Sequence, residues 1–115
     1  MATHSEVQKL VFEITEFLKS SLAPDVTIGA RLKFIYPGVG VVMVDGSKVP
    51  NVISNRDEDA DCVVEIDPMV HLKLLHLEMD QGLAFRQGLM RISGDVAIAV
   101  RLGPLLARSK SSGAM

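Results

Sequence analysis

Tryptophan is absent from this chain, aromatic residues make up only 4% of it, and Cys62 is its single cysteine. Each shortage argues against a class of function. Without aromatic platforms there is little for single-stranded bases to stack on. A net charge of −2 and a pI of about 5.9 leave no basic footprint, so no nucleic-acid partner is expected. One cysteine cannot close an intramolecular disulfide or build a multi-cysteine zinc or cluster site. Cys62 opens a strand pattern and reads as a small buried hydrophobe in a reducing compartment. No apolar run approaches the ~20 residues of a membrane span. The polar opening from Met1 to Glu6 is unlike a secretory leader, which leads to the expectation of a cytoplasmic protein.

Chemistry-bearing groupings are equally sparse. His71 and His76 are five residues apart, not the four that would put two imidazoles on one helix face. Glu78 and Asp80 stand nearby without a ligand spacing. The acidic turn of Asp57, Glu58, Asp59 and Asp61 lacks the regular oxygen ligands and closing Glu of a calcium loop. Gly38-x-Gly40 has neither a third glycine nor a following helix, and no Gly-x-Ser-x-Gly elbow is present. The expectation is therefore no enzyme, no metal and no cofactor.

What the chain does have is apolar residues in ordered patterns. They make up 48% of 115 residues, enough for one small domain with a single core. Thr3-x-x-Glu6 can form a capping box, and Val7, Leu10, Val11, Ile14, Phe17 and Leu18 then recur at helical spacing. Ala30, Leu32, Phe34 and Tyr36 alternate with Arg31, Lys33 and Ile35 as a half-buried strand does. After the Pro37-Gly38 turn, the continuously apolar run from Val39 to Val44 predicts a central strand. Asp45-Gly46 signals a hairpin, and Lys48 to Ser54 a third strand that Pro50 places at an edge. Cys62, Val64 and Ile66 form a fourth strand. Asp67-Pro68 starts a helix that presents Met69, Leu72 and Leu75 or His76 on one side. A short helix through Leu83, Ala84 and Phe85 stops at Gly88, and Leu89 to Ser93 is a fifth strand.

Gly94-Asp95 then launches a last helix that Gly103-Pro104 should end. That helix is apolar on almost every side, and such a helix must be covered twice. The sheet can cover one side; a bound apolar ligand or a partner must cover the other. The element order predicts an α+β fold with helices on one face of a mixed sheet.

The second half of the chain carries a family resemblance. Ala60-Asp61-Cys62, then Ala84-Phe85-x-Gln87-Gly88-x-x-x-Ile92-x-Gly94, then Ala99-x-x-Leu102, resembles the sterol carrier protein 2 (SCP2) lipid-binding domain. The resemblance runs from about Ser5 to Leu106 and implies five strands and helices enclosing an apolar tunnel. It implies one domain over residues 1–108; the Ser/Gly composition of 109–115 predicts a disordered tail, and Ser109-Lys110-Ser111 is not expected to serve as a terminal peroxisomal address. Its implied activity is non-enzymatic binding, with transfer or presentation, of a fatty acyl, phospholipid or isoprenoid-type lipid. Phe85 would hold the short helix on the sheet, while Gln87 and Gly88 would be its cap and positive-φ stop.

The lining of such a slot would come from inward strand residues and the two-sided last helix. On the strands these are Leu32, Phe34, Val41, Met43, Met90 and Ile92. On the helices and their links they are Leu72, Leu75, Met79, Phe85, Val96, Ala97 and Val100. The last helix would open reversibly over the slot. Two other readings share these residues: an accessory subunit that holds a precursor for ubiquinone-type biosynthetic enzymes, and a ligand-free homodimer whose last helix is covered by a second copy. Transient contact with a membrane fits the carrier reading.

Overall fold

The computed structural model describes residues 4–22, 25 and 28–100. The expected Thr3 cap, the Gly103-Pro104 break and the tail from Ser109 lie outside the described residues. Helix α1 (His4–Ser21) leads into β1 (Arg31–Tyr36), β2 (Gly40–Asp45), β3 (Val52–Ser54) and β4 (Cys62–Ile66). Helices α2 (Pro68–Leu75) and α3 (Gln81–Arg86) precede β5 (Met90–Gly94), and residues 96–100 are again helical. The strands form one sheet in the order β3-β2-β1-β4-β5. β1 and β4 are parallel and the other neighbours are antiparallel, so the sheet is mixed. The fold is α+β, as the element order predicted.

Burial follows the pleat. Leu32, Phe34 and Tyr36 are buried while Arg31, Lys33 and Ile35 are only partly so. Cross-strand pairing puts Val42 and Val44 of β2, and Cys62 and Val64 of β4, on that same inner face. Ile53, Ile66, Met90 and Ile92 extend the face across the sheet. Helix α1 lies over its β2–β3 side and turns Ile14 and Leu18, both fully buried, toward it. Each such side chain contributes roughly 1.5–3 kcal/mol on burial. Phe17 of α1 meets His76, just past α2, with ring centroids 5.1 Å apart.

The apolar run of β2 does mark an interior strand, paired with β1 on one side and β3 on the other; β1 is the middle strand of the five, because β4 returns to pair with it in parallel. The Asp45-Gly46 signal is not a tight hairpin, since β3 begins only at Val52. Gly46 continues the pairing with β1, donating its N–H to the Ala30 carbonyl at 2.9 Å. A Cβ at Gly46 would collide with the Cβ of Ile28, so close approach is what requires glycine there. Asp45 turns the chain just beyond, accepting from the Ser47 hydroxyl at 2.6 Å and from the Ser47 N–H at 3.0 Å.

To reach β4, the connection after β3 must pass both β2 and β1. The Lys33 Nζ to Asp57 Oδ1 ion pair at 2.8 Å puts that passage on the outer face, away from the helices. At its start, Asn55 Nδ2 donates to the Val41 carbonyl and to Thr15 Oγ1, both at 3.0 Å. At its end, the Arg31 N–H donates to Asp61 Oδ2 at 2.9 Å.

Candidate functional site

Between the inner face of the sheet and the later helices lies a cavity of about 250 Å³. Its floor is β1, β4 and β5, through Leu32, Phe34, Val64, Ile66, Met90 and Ile92. α2 contributes His71, Leu74 and Leu75, the α2–α3 link contributes Leu77, Met79 and Asp80, and α3 contributes Gln81. Ala99 of the last helical turn closes another side.

Two aspartates fix the ends of these helices. Asp67 Oδ1 accepts from the Met69 N–H at 2.8 Å, and Pro68 follows at the first helical position, where its missing donor costs nothing. Asp80 Oδ2 accepts from the Leu83 N–H at 2.8 Å to start α3. α3 ends through Gln87 into Gly88 at φ 72°, a left-handed position suited to glycine, as expected from the sequence. Asp95 Oδ1 accepts from the Ala97 N–H at 3.2 Å and starts the last turn.

Of the cavity's polar side chains, Asp80 and Gln81 are exposed and His71 is buried. His71 is 4% exposed, its ring lies 4.3 Å from that of Phe34, and its Nδ1 is 2.7 Å from the Tyr36 hydroxyl. Burial pushes the imidazole down to about 3, so it is neutral across ordinary pH. Burial also pushes the Tyr36 hydroxyl well above its usual value, so it keeps its proton. No Lys or Arg is among the described lining residues, and Asp80 is their one charged group.

Several expected slot residues converge here: Leu32, Phe34, Leu75, Met79, Met90 and Ile92 all line the cavity. The others do not. Val41 and Met43 point to the outer face, because Val42 and Val44 are the β2 residues opposite Phe34 and Leu32. Met43 is fully buried all the same, on the face that the connection to β4 crosses. Helix α2 buries Pro68, His71 and Leu75 and leaves Met69 exposed, so Leu72 packs beside the core and outside the cavity. Phe85 is 51% exposed, and fully buried Ala84 seats α3 in its place. In the last turn Ile98 and Ala99 face inward, Val96 and Val100 are exposed, and Ala97 borders a separate polar depression near Asp61. The described part of that helix is thus covered on one side, not two.

Val64 and Ile66 were readable as inward strand residues. His71, Leu74 and Leu77 were not, because α2 is apolar on too many sides for its facing to show. Among the described residues no group of acidic, His or Cys side chains is arranged to hold a metal, and no helix is long and apolar enough to cross a membrane.

An apolar cavity between helices and a five-stranded sheet of this order agrees with the family comparison, in which the SCP-2 sterol transfer family matches residues 40–107. The chain belongs to that family. The SCP2 domain architecture also appears in solved structures. The sterol carrier protein domain 2 of Helicoverpa armigera is 18% identical, with a TM-score of 0.72 and 87% of each chain covered. A UbiJ-SCP2 ubiquinone synthesis protein is 18% identical, with a TM-score of 0.68, 88% of this chain and 96% of the other being covered. The Aedes aegypti sterol carrier protein-2 in complex with a C16 fatty acid, palmitate, is 21% identical, with a TM-score of 0.59 and coverage of 93% and 97%. At these identities the SCP2 likeness speaks for the fold. A sequence comparison with curated proteins gives no match.

Proposed function

We propose that this SCP2-family protein is a non-enzymatic carrier that takes a flexible lipid chain into the cavity above β1, β4 and β5 and transfers or presents it. The observation that carries this reading is the cavity itself, apolar on nearly all sides between floor and helices. Its volume of about 250 Å³ is just below the ~300–1,000 Å³ usual for small-ligand sites, which favours a chain over a rigid fused-ring body. About ten buried methylenes would contribute roughly 8 kcal/mol. Loss of ligand freedom offsets part of that, so an affinity on the order of micromolar or weaker is expected.

The last helix reaches this cavity through Ala99, which is consistent with a moving wall, although Ile98 and Ala99 also belong to the core. Removing the whole helix would therefore test stability as much as binding. The cleaner experiment is to purify the protein under native conditions, extract it with organic solvent and identify lipid by mass spectrometry. Displacement of a neutral fluorescent probe by long-chain lipids follows. Stoichiometric lipid, or saturable displacement, is the expected result. An empty extract together with no probe binding would refute the carrier reading.

The likeness to a ubiquinone synthesis protein favours a second reading, an accessory subunit that holds a lipid precursor for partner enzymes. Co-purification with such enzymes is its expected signature. A homodimer that covers the exposed Val96 and Val100 would show as a concentration-dependent mass without extractable lipid.

A further inference from the structure

We propose that His71, oriented by Tyr36, is the polar anchor of the cavity and selects an uncharged lipid that carries an acceptor oxygen, such as an ester or ketone carbonyl. This rests on the carrier reading and deepens it. The tautomer follows from counting donors. The Tyr36 hydroxyl and His71 Nδ1 have each other as their only hydrogen-bond partner among the described residues. Either tautomer leaves one donor without a protein partner, the Tyr36 O–H or the His71 Nε2–H. Tyr36 is 1% exposed, and its O–H left unmade in the core costs more than a ring N–H that opens on the cavity. Tyr36 therefore donates to Nδ1. A neutral imidazole that accepts at Nδ1 carries its proton on Nε2.

That Nε2–H has no partner among the described residues. It is not sealed in the core, because no sealed polar side-chain atom there lacks a partner. His71 is a lining residue of the cavity, so the ring's remaining donor has the cavity to address. Phe34 packs against the ring, with centroids 4.3 Å apart and planes inclined by 36°. The other polar side chains of the lining, Asp80 and Gln81, are exposed. A buried, oriented N–H among the apolar side chains of the slot is matched by an oxygen that accepts and brings no charge.

A carboxylate is a poor match. The imidazole is neutral, the described lining has no cation, and Asp80 supplies a negative charge. Burying an anion without a counter-charge is far more costly than burying a carbonyl that gains a hydrogen bond. A carboxylate head group would remain in water with only its chain inside.

The test uses displacement of a neutral fluorescent probe from the intact protein. The ligands are a methyl ketone, an n-alkane and a carboxylate with matched dodecyl chains, at a pH of about 8 so that the carboxylate is ionised. His71→Phe keeps a flat ring against Phe34 and removes the donor. It is expected to weaken ketone binding roughly three- to tenfold relative to alkane and carboxylate binding. An equal change for ketone and alkane would overturn the anchor while leaving the carrier reading intact. A loss confined to the carboxylate would overturn the preference for uncharged lipid. If the wild-type protein bound none of the three, the carrier reading itself would fall. A fold-independent check is the imidazole nitrogen NMR spectrum of the wild-type protein. Nε2 should carry the proton in the free state and shift with the ketone but not with the alkane. A proton on Nδ1 would refute the proposal.

Discussion

His71 shows how much one side chain can decide. In the native state burial holds it neutral down to a pH of about 3, whereas the unfolded chain protonates it near 6.5. Between those values the unfolded state binds a proton that the native state refuses. Stability from this group is therefore complete above pH about 6.5 and falls on acidification, by up to about 1.4 kcal/mol per pH unit. Urea denaturation of the wild type at about pH 7.5 and about pH 5 should show that loss, and His71→Phe should show less of it. An unchanged pH dependence in the variant would locate the acid sensitivity elsewhere. Gly46 decides something of another kind. Gly46→Ala drives a methyl group into Ile28 and should cost roughly 1–3 kcal/mol in denaturant unfolding. Gly40→Ala is the control, because a Cβ there meets only Val11 at 3.9 Å and should be tolerated within about 1 kcal/mol.

Among the elements, the caps carry the arrangement of the cavity wall. Asp80→Ala removes the acceptor for the Leu83 N–H and should destabilise by about 0.5–2 kcal/mol. Because Asp80 also lines the cavity, the same change should loosen amide protection in α3 before it affects β4, as hydrogen exchange would detect. The Asp67 cap was legible in the sequence while that of Asp80 was not, and β1 and β4 were legible because their period-two alternation states which side is buried. β2 was not, because Val39 to Val44 is apolar at nearly every position and only its pairing with β1 reveals the parity. That is why Val41 and Met43 were expected in the slot while Val42 and Val44 hold the inner face. The facing of α2 failed to show for a related reason. Met69, Leu72, His71 and Leu75 all suit an interior, and the choice falls to the Tyr36 hydroxyl, which gives His71 a partner that a sequence pattern does not display. Phe85 and Ala84 invert the usual expectation of size: the small residue is seated at the sheet and the large one is outside.

For the molecule as a whole, the family likeness and the fold were readable because the glycine stops and alternating strands of residues 60–94 keep their order. The cavity lining was readable only in part, since it depends on which of several apolar faces each helix turns inward. A different consequence attaches to the parallel pairing of β1 with β4. During synthesis, β1, β2 and β3 can assemble as an antiparallel unit as soon as they emerge. The other edge of β1 must then wait for residues 62–66, about thirty positions later. Until then the nascent chain exposes an unpaired edge flanked by Leu32, Phe34 and Tyr36, which is a template for another chain. Refolding from denaturant should accordingly lose yield as protein concentration rises, and truncations that end before Cys62 should aggregate. One strand of the finished cavity's floor is thus exposed to error on the ribosome until another arrives.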